Sequence, residues 1–200
     1  MATRCAESVI LDERIESPVW GAPIVRIRSI EVTDAALIRE FVQSLSSETR
    51  YLRFMSPLKE LSAQMVDRLT RIDHSRDAAL IGIVSPAGAD RVVGVARYAV
   101  NADGESCDFA IVVADDWQRR GLGSRLLSLL VDTASARGLK RIGGDVLAIN
   151  EPMKAFVKAH GFTLSRSHDG PTLVRVELRL DCERAYETDP QPDTPSSPWM

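Results

Sequence analysis

Apolar and polar positions along the chain fall into blocks whose period changes. "IVRIRSI" (24–30) alternates: Ile24, Arg26, Arg28 and Ile30 lie on one side, and Val25, Ile27 and Ser29 on the other, which predicts a strand. In "AALIREFVQSL" (35–45) the spacing becomes helical. Leu37, Ile38, Phe41, Val42 and Leu45 form one stripe, and Thr33 or Asp34 can cap it. "SSETRYLRF" predicts a short helix or turn before Pro57, and "LSAQMVDRLTRI" (61–72) a further helix aligned on Leu61, Met65, Leu69 and Ile72. "AALIGIVS" and "RVVGVARYAV" read as strands joined by "PAGAD", and "NADG" (101–104) turns the chain into the strand "CDFAIVV". A helix then ends near Gly138, and "KRIGGDVLAI" is a strand. "NEPMKAFVKAHG" is a helix with Asn150 suited to its N-cap and Gly161 to its end. "FTLSRS" and "TLVRVELRL" close as a hairpin. This order implies an α/β or α+β protein, a mixed sheet with helices packed on it.

The two ends lack such periodicity. Residues 1–22 mix charge with Pro18 and Gly21 and read as a flexible leader. Residues 182–200 are rich in Pro, Ser, Thr and Asp and read as a disordered tail. One domain, 23–181, lies between them.

Composition narrows the function classes. At 200 residues the chain suits one domain, and its 44% hydrophobic and 26% charged residues are ordinary for a soluble protein. A net charge of −3 argues against nucleic-acid binding. Cys5, Cys107 and Cys182 form no CxxC pair and sit near no histidine cluster, which argues against a disulfide framework or a metal site and fits the cytoplasm. No signal peptide and no run of about 18 apolar residues is present, so no membrane span is expected.

Chemistry concentrates in "VVADDWQRRGLGSRLLSLL" (112–130), a strand that runs through a basic glycine-bearing turn into a leucine-rich helix. Gly121 and Gly123 let a ligand approach the backbone. The helix that follows has first-turn N–H groups without intrahelical partners, so its mouth attracts anions. Arg119 and Arg120 add positive charge. The stretch matches neither GxxxxGK[ST] nor GxGxxG. Alone it fits a phosphate site and a plain strand-to-helix turn with solvated arginines equally well.

Gln118-Arg119-Arg120-Gly121-Leu122-Gly123 resembles the acetyl-CoA motif Q/R-x-x-G-x-G/A of the GNAT family of N-acetyltransferases. Asn150 opening a helix that ends in Gly161-Phe162, and the strand order, extend the resemblance over roughly residues 24–180. "LSSETRYLRF", "RIDHSRDAALIGI", "GVARY" and "FAIVVADDWQRRGLG" are similar to the catalytic domain of bacterial Pat-type protein lysine acetyltransferases. The resemblance implies a mostly antiparallel sheet of six to seven strands flanked by about four helices. It implies acetyl-CoA as co-substrate, without a metal. The amides of Arg119, Arg120, Gly121, Leu122, Gly123 and Ser124, with Gln118, would hold the pyrophosphate. Val112 and Val113 would line the pantetheine arm, and Asn150 would meet the cofactor where the strands splay. The acceptor is then an amine, with a protein lysine, such as one on a metabolic enzyme, as first choice. A small amine (polyamine, amino acid or antibiotic) is the second reading and a non-catalytic acyl-CoA sensor the third. A homodimer stays open.

An amine attacks a thioester only as the free base, so a proton acceptor is needed. Asp108 is the candidate general base. Aspartate is disfavoured in strands, and on that strand a partly desolvated carboxylate would suit the task. The Pat-like relatives generally carry a Glu there, one methylene longer. A solvated, idle Asp108 is the plainer alternative, and Asp145 in "GGDVL" is the runner-up base, with a structural or exposed strand residue as its plainer reading. The Tyr that many family members use as general acid would fall at Val157. Cys107 is expected to be buried packing, Tyr98 core, Trp117 an anchor for the turn, His160 part of a helix end and His74 a surface loop residue. Arg50, Tyr51 and Arg53 either line an acceptor entrance or, more plainly, leave Tyr51 and Phe54 packing a short helix with the arginines in water.

Overall fold

The apolar runs assemble into one sheet. The structure, a computed structural model, describes residues 12–15 and 24–180. The strands are β1 (Asp12–Ile15), β2 (Val25–Ser29), β3 (Ala78–Val84), β4 (Arg91–Val100), β5 (Ser106–Val113), β6 (Arg141–Leu147), β7 (Thr163–Arg166) and β8 (Leu173–Arg179). The helices are α1 (Ala35–Ser44), α2 (Ser47–Phe54), α3 (Ala63–Thr70), α4 (Leu122–Ala136) and α5 (Glu151–Ala159). The strand order is β1-β2-β3-β4-β5-β6-β8-β7, antiparallel throughout except for β5 with β6.

Seven of the eight strands are those that the alternation predicts. The eighth corrects the expectation for residues 1–22: "DERI" pairs antiparallel with β2, from Asp12 opposite Arg28 to Ile15 opposite Val25. Four residues are too few to show a period. The expected tail, 182–200, and the rest of the expected leader lie outside the described residues.

Strand alternation sorts the faces. A Cβ on Gly94 would sit 2.9 Å from Leu126, so α4 covers the Gly94 side of β4. Val95 and Arg97 face the opposite side, against α1, α2 and α3. By register, Cys107, Phe109, Ile111 and Val113 share the α4 face, and Asp108, Ala110 and Val112 the other. Ile27, Ile81, Leu126, Leu130, Ile142 and Val176 are buried at the centre of the core.

Capping explains the helix starts. Ser46 and Ser62 accept from the amides of Thr49 (3.1 Å) and Met65 (3.2 Å), and Asn150 Oδ1 accepts from Met153 N at 3.1 Å. Asp34 occupies the N-cap position of α1 without a side-chain capping bond to it. Thr33 and Asp34 both fall in a preceding 3-10 turn, and Asp34 is buried, forked onto Arg28 at 2.6 and 2.7 Å.

The feature that positions the site is a split in the sheet. β5 and β6 pair only from Ser106–Arg141 to Asp108–Gly143. Beyond that rung the two strands diverge, leaving the remaining backbone of β5 unpaired on that side.

Candidate active site

The turn after β5 is shaped by two left-handed residues. Arg119 has φ 58° and Gly121 φ 85°. A Cβ on Gly121 would meet nothing within 4 Å, so conformation rather than space calls for glycine there. The helix ladder begins with Arg125 N donating to Gly121 O at 3.1 Å. The amides of Leu122, Gly123 and Ser124 therefore have no partner inside α4 and open toward a cleft of about 510 Å³. These residues fit a bound pyrophosphate. Trp117 is buried beneath the turn and Arg120 stacks over its ring at 5.3 Å.

Of the sequence-predicted cofactor residues, Val113, Gln118, Arg119, Gly121, Gly123, Ser124 and Asn150 line this cleft. Arg120 stays on Trp117. The Leu122 side chain is buried against Gly82 and Gly94. Val112 faces α1 and α3 across the sheet. Among the lining residues that escaped the sequence reading are Thr49 from α2, and Met153 and Phe156 from α5. Their spacing on α5, three apart and on one helix face with Asn150, was the available signal.

The near wall, α2, is tied to the turn. Asp115 accepts from Ser46 N (2.9 Å), Ser46 Oγ (2.9 Å) and Thr49 Oγ1 (2.6 Å). Burial works against ionising Asp115, but the bonds from Thr49 and Ser46 outweigh it and hold the carboxyl below its usual range. Gln118 Nε2 reaches Val113 O at 3.2 Å, closing the turn onto β5.

At the foot of the split the cleft leads into a smaller cavity of about 120 Å³. Leu52, Arg53, Ile111, Asn150 and Met153 border both spaces. Here the structure separates the two candidate carboxylates. Asp108 lines neither space. Its side chain is 47% exposed and accepts from Arg175 Nη2 at 2.6 Å, so it lacks the desolvation expected of it. Asp145 lines the cavity. Its Oδ2 accepts from Arg175 Nη1 at 3.3 Å, and its Oδ1 is buried with no hydrogen-bond partner. Arg175 was not singled out from the sequence. Burial opposes its charge, but the hydrogen bond to Asp108 and both carboxylates raise it above the ordinary arginine value. Gly143 makes room for it: a Cβ there would sit 3.0 Å from Arg175 Nη2 and 2.7 Å from Val176 O.

The chain matches the acetyltransferase (GNAT) family over residues 40–162, more than half its length. It belongs to the GNAT acetyltransferase family. A Pseudomonas aeruginosa acetyltransferase is 34% identical over 169 residues, covering 84% of this chain and 90% of that protein. The acetyltransferase Pat of Mycolicibacterium smegmatis is 28% identical over 134 residues, which span 66% of this chain but only 39% of that longer protein. Among solved structures, the GNAT domain of Streptomyces lividans Pat superposes with a TM-score of 0.75 at 28% identity, covering 84% of this chain and 96% of that one.

This GNAT protein is thus an acyltransferase, in a family whose co-substrate is acetyl-CoA. That sets aside the sensor reading. Its Val157 is fully buried and lines no part of the cleft, where Phe156 faces Gly123 instead. Cys107 is buried, and burial pushes its thiol up to about 12, so it is packing rather than a nucleophile. Tyr98 is buried and its hydroxyl accepts from Arg137 at 2.9 Å. His160 Nδ1 lies 2.8 Å from Phe156 O at the end of α5, and His74 offers its carbonyl to Arg137. Arg50 is no solvated arginine: it donates to Leu45 O at 2.9 Å and Gln43 O at 3.0 Å, stapling α1 to α2. Tyr51, expected to pack, is exposed. Among the described residues no helix is long and apolar enough to cross a membrane, and no three His, Cys, Asp or Glu cluster as metal ligands would.

Proposed function

We propose that this enzyme, working in the cytoplasm, transfers the acetyl group of acetyl-CoA to a primary amine, with a protein lysine side chain as first-choice acceptor, and that Asp145 takes the amine's proton. One observation carries this reading. The cleft that begins at the open amides of α4 continues past Asn150 and Met153 into a cavity lined by Asp145.

The 119–124 turn would hold the pyrophosphate, and the unpaired side of β5 would bond the amide-bearing arm. The co-substrate supplies an acyl group already activated as a thioester, so no covalent enzyme intermediate is needed. An alkylammonium of pKa about 10.4 must first lose a proton, and Asp145, which lines the cavity at the end of the cleft, would accept it. The nitrogen then bonds the carbonyl carbon as the C–S bond breaks. With Val157 at the usual acid position, solvent protonates the departing thiolate. Asp108, the first candidate from sequence, becomes the residue that steadies Arg175 from the solvent side.

Likeness to the two Pat proteins supports lysine. The modest volume of the inner cavity favours a small amine as the second reading. Radiolabelled acetyl-CoA, a cell lysate and the wild-type and Asp145→Asn proteins test both. Label on discrete protein bands, lost with Asp145→Asn, supports lysine acetylation. Label only in the small-molecule fraction supports the second reading. No transfer to either overturns both.

A further inference from the structure

The inner cavity is bordered by two groups of opposite charge that do not pair with each other. Asp145 of β6 pairs with Arg175 at 3.3 Å and not with Arg53 of α2, although Asp145 and Arg53 line the same space of about 120 Å³. Asp145 keeps one oxygen buried and unpartnered. Arg53 also lacks a counter-ion among the described residues. Its guanidinium lies over the Phe54 ring at 5.0 Å, and the charge that acts on it is that of another cation, Arg97. Burial, reinforced by Arg97, lowers Arg53 to about 10. Arg97 is itself lowered by burial and borders the neighbouring pocket together with Arg53.

Folding does not favour this arrangement. A half-buried guanidinium without an anion and a buried carboxylate oxygen without a donor each cost stability, and a direct bond between them would relieve both. Held apart across one cavity, they suit an occupant that brings a donor to one and an anion to the other. Arg53 also borders the cofactor cleft, but the phosphate-binding amides lie at the α4 end of that cleft. The anion meant for Arg53 is therefore one at the reacting end.

We propose that this cavity is the acceptor subsite and that it selects amines accompanied by a carboxylate, Asp145 receiving the amine and Arg53 the carboxylate. The proposal rests on the amine-acetylating reading above and adds a charge requirement to it. The carboxylate has two sources of the same chemistry. It is the α-carboxylate of a free amino acid, or the side chain of an acidic residue beside a lysine in a polypeptide.

The test compares kcat/KM for matched acceptors with wild-type, Arg53→Gln and Arg53→Lys proteins. One arm uses amino acids against their α-carboxamides. The other uses lysine peptides with a neighbouring Glu against the same peptides with Gln. Wild-type enzyme is expected to prefer the carboxylate by about tenfold in one arm, the size of one charge-assisted hydrogen bond. The arm that responds names the source. Arg53→Gln should erase the preference through KM, so that carboxylate-bearing and uncharged acceptors are used alike, and Arg53→Lys should keep part of it. No preference in either arm, or a preference that survives Arg53→Gln, overturns the proposal while leaving amine acetylation intact. Failure of every acceptor despite tight acetyl-CoA binding overturns the proposal and the parent reading together.

Discussion

Arg175 Nη2 meets Asp108 Oδ1 at 2.6 Å, across a ladder position where β6 carries only the hydrogen of Gly143. The same guanidinium reaches Asp145 on the cavity side. Asp145→Asn should therefore lower kcat by about 100-fold or more, as loss of a general base does. Asp108→Asn should cost less than about tenfold, because Arg175 keeps its bond to Asp145. Steady-state rates of the two variants check this order; a larger loss with Asp108→Asn would return the base role to Asp108.

Gly143→Ala tests the same relationship through packing. The added Cβ would press on Val176 O at 2.7 Å and Arg175 Nη2 at 3.0 Å. Backbone crowding of that kind costs about 1–3 kcal/mol. A fall in melting temperature together with a fall in kcat is expected, read by calorimetry and a thiol-release assay.

Gly121→Ala acts on the turn instead. Its φ of 85° strains a side-chain-bearing residue by about 1–2 kcal/mol. The expected signature is a raised KM for acetyl-CoA with kcat nearly unchanged, since the residue lines only the cofactor end of the cleft.

Much of this site was legible before any coordinates. The motif at 118–123 and the cap at Asn150 are local chemistry: a turn needs φ above zero, a helix start needs an acceptor, and both leave a mark on consecutive residues. Arg175 left none. Its meeting with Asp108 depends on β8 inserting between β6 and β7, so that Arg175 pairs with Asp145, while β5 lies alongside β6 at Gly143. That register joins residues 67 apart in sequence. The sequence offered Asp108 as a strand aspartate without the arginine that bonds it in the structure. Asp34 stands at the N-cap of α1, as the sequence suggested, but its carboxylate turns to Arg28 and the Glu31 amide, which the sequence did not show.

The Arg28–Asp34 fork predicts a pH effect on stability. Burial disfavours ionised Asp34, but the Arg28 bonds and the Glu31 amide overcome it and leave the carboxyl below its usual value. A folded pKa below the unfolded one, about 3.9, means the contribution is full above that value and is lost as pH falls through the folded pKa. Asp34→Ala should cost about 3 kcal/mol at neutral pH, as breaking a buried pair does. The gap from wild type should shrink on acidification, as measured by urea unfolding at pH 7 and pH 3.

Cys107 predicts chemical silence. With its thiol buried and raised to about 12, peptide mapping after alkylation at pH 8 should find it unmodified in the native protein and labelled once unfolded.

The short pairing of β5 with β6 has a further consequence. A sheet ordinarily has two edges, and this one has an additional pair in its interior, where β5 and β6 part after three rungs. Exposed strand edges are where chains zip onto one another and aggregate. Residues of α2 and α5 wall the opening, and on the proposed function the amide-bearing arm of the co-substrate would bond there in place of the missing strand. Holding acetyl-CoA at about 100 times Kd should stabilise the fold by about 2.7 kcal/mol and suppress aggregation on heating.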